Sequence, residues 1–425
     1  MSAGEAGATM SEAASVAGSD IMPRLTGAAE PAGSIYNRNF WRIFAATFAL
    51  NSAANLFVLF PLYVVRLGGR ASTIGAIVGF GSLAALLTRP LASAAVDRRG
   101  RRRTALWAIA IDASVITLYI PLHSLGWSIY AVRALHGAAE GTARVALFAM
   151  VYAILPSGRQ GEAMATFSLS GMLPAAFGAL LGEMILRWWG FPVFFCAATV
   201  LCIGAAITLK LLPEELSAWP IEPRTTDSAV VPDAISYRML LFDPLLAPLW
   251  VVTLFFGLAS SSRVSFVAPF AYQRGIHEVG WYFTIFALVA VAVRLSGRAM
   301  DRIGLERMLA PSLAVLALGL ALLVGTGHFY LLEVAAAVAG LGHGVAYPAL
   351  SALVVRNTRA GGIGRSSSIY TSAWDASSMI GPYLLGLTAN QIGYGRMFLV
   401  AGGLSLVGAI YFQARQPSIG GDRFD

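Results

Sequence analysis

The sequence predicts an all-α integral membrane protein, with 12 transmembrane helices in two pseudo-symmetric six-helix bundles. Three observations predict it. The first is composition: 425 residues, 57% hydrophobic and only 12% charged, with a mean hydropathy of +0.69. So few charges cannot clothe a soluble protein of this size, so most of the surface must face lipid. The second is a succession of apolar runs, each about 20 residues or more, long enough to cross a bilayer as a helix. The third is an internal repeat with a period near 205 residues.

In chain order, residues 1–35 are rich in Ala, Gly, Ser and Glu and hold no apolar run. They read as a disordered cytoplasmic tail, not a signal peptide, which needs an apolar core after a charged start. Spans follow at 40–65, 72–95, 104–123, 127–155, 163–187 and 190–213. A polar interval, 214–246, carries Glu214, Glu215, Pro220, Pro223, Asp227 and Pro232 and reads as a cytoplasmic linker. Six more spans come at 247–271, 278–299, 307–326, 329–356, 366–389 and 393–413. The expected units are thus an N-terminal bundle (36–213), a C-terminal bundle (247–415) and a cytoplasmic tail (416–425).

Charge sets the orientation. Of the 30 basic residues, 20 fall in segments on the side of the termini and five in loops on the other side: Arg66, Arg70, Arg187, Arg274 and Arg396. Arg89, Arg133, Arg144, Arg263 and Arg294 lie inside spans. The bias puts both termini in the cytoplasm of a multi-pass inner or plasma membrane protein. The net charge of +8 therefore reflects membrane orientation, not nucleic acid. The Arg98–Arg103 cluster is placed to meet anionic lipid.

The repeat is clearest in one charged hairpin. Arg89-Pro-Leu-Ala-Ser93-Ala-Ala-Val-Asp97-Arg98-Arg99-Gly100-Arg101 joins the second and third spans. Arg294-Leu-Ser-Gly297-Arg-Ala-Met-Asp301-Arg302-Ile-Gly304 joins the eighth and ninth. Asp97 and Asp301 are 204 apart. Leu135-His136-Gly137 through Glu140-Gly141 matches Gly342-His343-Gly344 through Tyr347-Pro348 at an offset of 207. Pro174 through Gly178 matches Pro382 through Gly386 at 208.

Charges inside a bilayer are costly and suggest function. Arg133, Glu140 and Arg144 are seven and four residues apart, hence on one helical face. They line a cavity or, in the bland alternative, Glu140 and Arg144 merely pair. Asp375, beside Trp374, suits proton coupling unless an arginine such as Arg263 holds it permanently. Asp112 is expected to pair with loop arginines, and Glu183 and Glu333 to reach water from helix ends. Asn51 and Asn55 share a face and either bind substrate or bond between helices. His343, Tyr347 and Trp374 offer polar tips and an aromatic wall, although His136 and His343 also read as packing residues beside glycines. Cys196 and Cys202 are expected to be core residues without a disulfide or metal. No metal set and no nucleotide-binding loop is expected, so no cofactor and no ATP-driven pumping are implied.

Twelve spans in two halves, with Asp-Arg-x-Gly after the second span of each, resemble the major facilitator superfamily. The family's loop reads Gly-x-Leu-Ala-Asp-Arg-x-Gly-Arg-Lys. Gly297 keeps its glycine, whereas Ser93 replaces it in the first copy. Arg133 through Gly137 matches the family's Arg-x-x-x-Gly. The exporters' Gly-Pro-x-x-Gly-Gly bend is partly matched by Pro174 and Gly178, with Leu173 in place of the first glycine, and more closely by Gly381-Pro382. The resemblance implies a gate at Asp97, Arg98, Gly100 and Arg101, echoed by Asp301 and Arg302. It also implies a central site lined by spans 1, 4, 7 and 10.

The expected function is a secondary transporter, not an enzyme. It would export a small organic compound by proton antiport and alternating access, acting as a monomer with its substrate, protons and lipid as partners. Proton-coupled uptake of a sugar or organic anion is the alternative, since Arg133, Arg144 and Arg263 suit an anion. A membrane-embedded lipid-modifying enzyme would need a convergent acid–base set at one interface, and the sequence offers none.

Overall fold

The structure, a computed structural model, describes residues 36–155, 160–213, 236–295, 303–359 and 362–419. The expected N-terminal tail, most of the linker and the second charged hairpin with Gly297, Asp301 and Arg302 lie outside the described residues.

Helix α1, Arg38–Arg66, starts at Asn37, whose side chain accepts the Phe40 N–H at 2.9 Å and satisfies an otherwise orphan donor. It tightens into a 3₁₀ turn at Phe57–Leu59. There follow α2 (Ala71–Arg99), α3 (Arg101–Thr117) and α4 (Trp127–Ile154). The stretch Gln160–Lys210 is helical except at Gly190, and its arms 160–189 and 191–210 are α5 and α6. Helices α7 (Ala247–Gln273), α8 (Val279–Leu295), α9 (Leu305–Leu322) and α10 (Phe329–Asn357) come next. Ile363–Ile419 breaks at Gly393 into α11 (363–392) and α12 (394–419). Each expected run overlaps a helix, and among the described residues no strand occurs and seven helical stretches are long and apolar enough to cross a membrane.

Two expectations change. Residues 236–246 are not linker-like. Ser236 caps a short helix, Tyr237–Leu241, and the Trp250 indole donates to the Leu240 carbonyl at 3.2 Å, docking this segment on α7. The expected C-terminal tail begins as helix, because α12 continues to Ile419.

The repeat is written into the backbone. Every described residue with left-handed φ is a glycine, and the six form three pairs: Gly68 with Gly275, Gly100 with Gly304, and Gly190 with Gly393. Their separations of 207, 204 and 203 residues match the sequence offsets. Each marks a sharp turn between successive helices, where a Cβ would be strained.

Packing repeats as well. In the first half α1 packs on the α5–α6 stretch, α2 and α3 on α4, and α3 on the α5–α6 stretch. In the second half α7 packs on the α11–α12 stretch, α8 and α9 on α10, and α9 on the α11–α12 stretch. Two further interfaces join the halves: α2 with the α11–α12 stretch, and α8 with the α5–α6 stretch. These too exchange under the repeat. The exterior is apolar, with two exposed aromatic belts. Trp127, Trp188, Trp189 and Tyr330 mark the end far from the termini; Trp41, Trp107 and Tyr237 mark the near end. Such rings sit at bilayer interfaces.

Candidate functional site: the space between the bundles

Of the cavities lined by both halves, two hold the residues singled out in the sequence. The larger, ≈ 760 Å³, is lined from α2, α4 and α11. It gathers Arg89, Arg133, Glu140, Arg144 and Asp375, so the expected charged face of α4 does look into a cavity. Glu140 and Arg144 form an ion pair within α4. Asp375 pairs across the halves with Arg89, not with Arg263. Gly137 lets α4 approach α2 here: a Cβ on it would lie 2.1 Å from the Gly81 carbonyl oxygen.

Arg133 has no carboxylate partner among the described residues. Its Nη1 lies 3.2 Å from His136 Nδ1, and its guanidinium sits 5.3 Å from the Phe60 ring centre. With Arg133 donating to Nδ1, the neutral ring carries its proton on Nε2. That atom faces Asp112 Oδ1 at 3.6 Å. Cys202 Sγ is 3.7 Å from the other Asp112 oxygen, and the Tyr119 hydroxyl 3.3 Å from His136 Nδ1. Asp112 therefore does not serve the loop arginines. It is 1% exposed, because α3 turns it onto α4 and α6, and it anchors a buried chain running to Arg133. Of the cysteines, Cys202 is buried as expected, but Cys196 is exposed, and both are free thiols.

The smaller cavity, ≈ 230 Å³, is lined by Asn55 from α1, by α5, and by Arg263, Phe286, Arg294 and His343 from α7, α8 and α10. Arg263 stacks 3.7 Å from the Phe286 ring centre, and Arg294 sits 5.4 Å from that of Tyr347. His343 stacks on Tyr347 with centroids 6.0 Å apart, and Trp374 meets Tyr347 edge-on at 5.4 Å. The expected aromatic wall is thus continuous. His343 also packs on Phe256 at 5.1 Å while lining the cavity. Asn51 turns to α5, donating to the Ser170 carbonyl at 3.3 Å. Asn55 donates to the Asn51 carbonyl at 2.8 Å while lining the cavity.

The far end is closed by two contacts related by the repeat. Glu183 of α5 accepts the Gly280 N–H at the start of α8. Asn390 of α11 accepts the Ser72 N–H at the start of α2, at 3.4 Å, and donates to the Ser72 hydroxyl at 2.6 Å. Glu183 and Asn390 are 207 residues apart, Ser72 and Gly280 are 208. Backbone contact reinforces both sides: a Cβ on Gly75 would lie 2.0 Å from the Pro382 carbonyl oxygen, and one on Gly280 2.7 Å from Leu180 Cα. Gly386 meets the Ala71 carbonyl and Gly178 meets Asn55 in the same manner. The helices run on through Pro174 and Pro382, with non-helical backbone only at Gly190 and Gly393.

Glu183 and Glu333 do not reach water as expected; they are 7% and 8% exposed. Neither oxygen of Glu333 has a hydrogen-bond partner among the described residues. Sequence position near a helix end suggested snorkelling, but α5 and α10 turn both groups inward. The one available signal was the repeat offset linking Glu183 to Asn390.

At the near end Gly100 alone joins α2 to α3, and the Thr104 hydroxyl bonds the Ala95 carbonyl at 3.0 Å across the turn. Arg102 caps α6, donating to the Leu209 and Lys210 carbonyls at 3.1 and 2.9 Å. Asp97 and Arg98 are exposed, and Asp97 makes no ion pair among the described residues. Arg101 buries an Nη1 without a hydrogen-bond partner among the described residues.

Comparison with known proteins agrees with this architecture. The family model described as Major Facilitator Superfamily matches residues 42–295 and 249–423. The chain is 26% identical over 397 residues to multidrug resistance protein MdtG of Serratia proteamaculans (strain 568), covering 90% of this chain and 95% of that protein. It is 26% identical over 390 residues to MdtG of Citrobacter koseri, covering 88% and 94%. Among solved structures, nucleoside transporter NupG superposes with a TM-score of 0.74 at 14% identity, over 89% of this chain and 99% of that one. Peptide transporter POT in complex with sulfate gives 0.69 at 16%, over 90% and 95%. With a matching family model over nearly its whole length, and a fold doubled as that family's members are, the chain belongs to the Major Facilitator Superfamily.

Proposed function

We propose that this protein exports a small organic compound in exchange for protons, by alternating access of its two bundles. The names of its MdtG relatives support export. We place both termini in the cytoplasm, twelve spans between them, and one chain as the working unit. The far end is then the outer gate, closed by the Glu183–Gly280 and Asn390–Ser72 contacts, and the cavity holding Arg89 and Asp375 belongs to the inward-facing state.

The observation that carries proton coupling is Glu333. A buried ionised carboxylate without partners is disfavoured by several kcal/mol, whereas a carboxyl group can become neutral by taking up a proton. Asp375 and Glu140 both have arginine partners, so their charges are compensated. Glu333 lies in the outer half of α10, on the side from which an antiporter takes protons. Asp375 serves instead as a cross-half contact that breaks and reforms during the cycle, while Arg133, Tyr347 and Trp374 line the substrate path.

The test uses purified protein in liposomes with an internal pH dye, an imposed pH gradient and a panel of candidate substrates. Wild type should move protons opposite to substrate. Glu333→Gln should lose that proton movement yet retain substrate exchange across the vesicle wall. Unchanged proton movement in the variant would remove Glu333 from the reading, and substrate flow without protons in wild type would overturn antiport.

A further inference from the structure

We infer that the cavity between α1, α5, α7, α8 and α10 is built for the anionic group of its substrate, a carboxylate, sulfonate or phosphonate attached to an apolar body. The inference rests on reading the space between the bundles as the substrate site and names the chemical class it takes.

Two arginines line this cavity, Arg263 and Arg294, and its lining contains no carboxylate. Each guanidinium buries an Nε that has no hydrogen-bond partner among the described residues. Neither forms an ion pair with a described carboxylate; aromatic faces are what they rest against, Phe286 at 3.7 Å and Tyr347 at 5.4 Å. The comparison within the molecule is direct. Arg89 and Arg144, in the larger cavity, both have carboxylate partners.

Arginine stays charged in proteins. A carboxyl group in an apolar place can escape its charge by binding a proton, but a guanidinium cannot. Two of them facing one cavity without a counter-ion raise its potential and repel a cationic ligand. Ring faces ease this only in part. What completes the site is an anion whose oxygens accept from both guanidinium edges, the geometry at which arginine excels. The rest of the lining sets the other end of the ligand. Met172, Ala175, Val264 and Ala287 are apolar, and Phe283 and Phe286 are aromatic, so the anion should carry a flat or branched apolar body.

The test is equilibrium binding to the full-length protein in detergent, with three probes of one shape: naphthalene-2-sulfonate, the neutral 2-naphthalenemethanol and the cationic 2-naphthylmethyl-trimethylammonium. The sulfonate should bind saturably and at least tenfold more tightly than the other two. Arg263→Gln and Arg294→Gln should each weaken sulfonate binding about tenfold, towards the neutral probe, while Arg263→Lys, which keeps the charge, should retain a preference for the anion. Equal or tighter binding of the neutral or cationic probe would overturn the inference. So would absence of saturable sulfonate binding, or wild-type affinity in both glutamine variants. Because the assay needs no transport and no gradient, a protein that binds the anion but fails to move protons in liposomes would count against antiport alone.

Discussion

Glu183→Ala should open the outer gate. In the closed arrangement its carboxylate accepts the Gly280 N–H across the interface between α5 and α8. That contact exists only while the two halves meet at the far end. A hydrogen bond to an ionised group contributes about 1.5–3 kcal/mol, so its loss shifts the ratio of closed to open molecules roughly ten- to hundredfold, at about 1.4 kcal/mol per factor of ten. Its counterpart across the repeat, Asn390 with Ser72, is neutral and worth about 0.5–1.5 kcal/mol per bond. Asn390 makes two such bonds, about 1–3 kcal/mol together, so Asn390→Ala should shift the ratio by a similar factor. Glu183→Gln keeps an acceptor without a charge and should fall between Glu183→Ala and wild type. The readout is the distance distribution between spin labels at positions 187 and 277, which face one outer cavity of ≈ 550 Å³ from α5 and from the loop before α8. A Cys196→Ser background removes the exposed thiol, and Cys202 is buried. Wild type should show a dominant short distance, and Glu183→Ala a long one raised by the stated factor. Identical distributions in the two proteins would refute the reasoning and leave the gate to backbone packing at Gly280 and Leu180.

Three further outcomes follow from the cavity geometry. Arg133→Ala should abolish transport while the protein still inserts, checked by flux in liposomes beside a membrane-fraction blot; normal flux would take the outer half of α4 out of the substrate path. Asp375→Asn and Arg89→Gln should each slow transport, by leaving one charge uncompensated in the larger cavity, and the double variant should recover part of the loss; strictly additive defects would show that the pair does not act as a unit. Gly137→Val should prevent accumulation of folded protein, since even a Cβ would stand 2.1 Å from the Gly81 carbonyl oxygen and overpacking costs about 1–3 kcal/mol or more; a normal melting profile in detergent would contradict so close an approach of α2 and α4.

What the sequence conveyed about the fold was whatever repeats or persists along the chain. Apolar runs specify helices because the backbone must bond internally in lipid. The duplicated hairpin located Gly100 and Gly304, whose left-handed turns then appear in the structure. Charge partners were harder, because pairing depends on how helices rotate against each other. Arg133, Glu140 and Arg144 were legible as a set since one helix fixes their spacing. The Asp375 partner was not, because Arg89 and Asp375 are 286 residues apart and meet only once α2 packs on α11. Asp112 was misassigned for the same reason: its height on α3 was readable, but its rotation towards His136 and Cys202 was not. The expectation that Glu183 and Glu333 reach water rests on their position alone, although the offset of 207 that relates Glu183 to Asn390 is present in the sequence.

The charges within the bundles divide into two kinds, and the division gives the transport cycle its logic. Arg89 with Asp375 and Arg144 with Glu140 are charges already compensated, the first across the halves and the second within α4. Arg263 and Arg294 keep a positive charge whatever surrounds them, while Glu333 has no partner among the described residues to hold a negative one. A site that is permanently cationic can be completed only by what binds to it. A carboxyl group without a partner can be completed by a proton. On the proposed reading, placing both kinds between the same two bundles would let each state be compensated by a different cargo, an anionic substrate facing in and a proton facing out. The gate that separates those states is sealed on one side by Asn390 and on the other by Glu183. Of these two only Glu183 can bind a proton, so the repeat that built the fold symmetric leaves this gate chemically lopsided, and under the proposed orientation a proton arriving from outside would act on the α5–α8 side first.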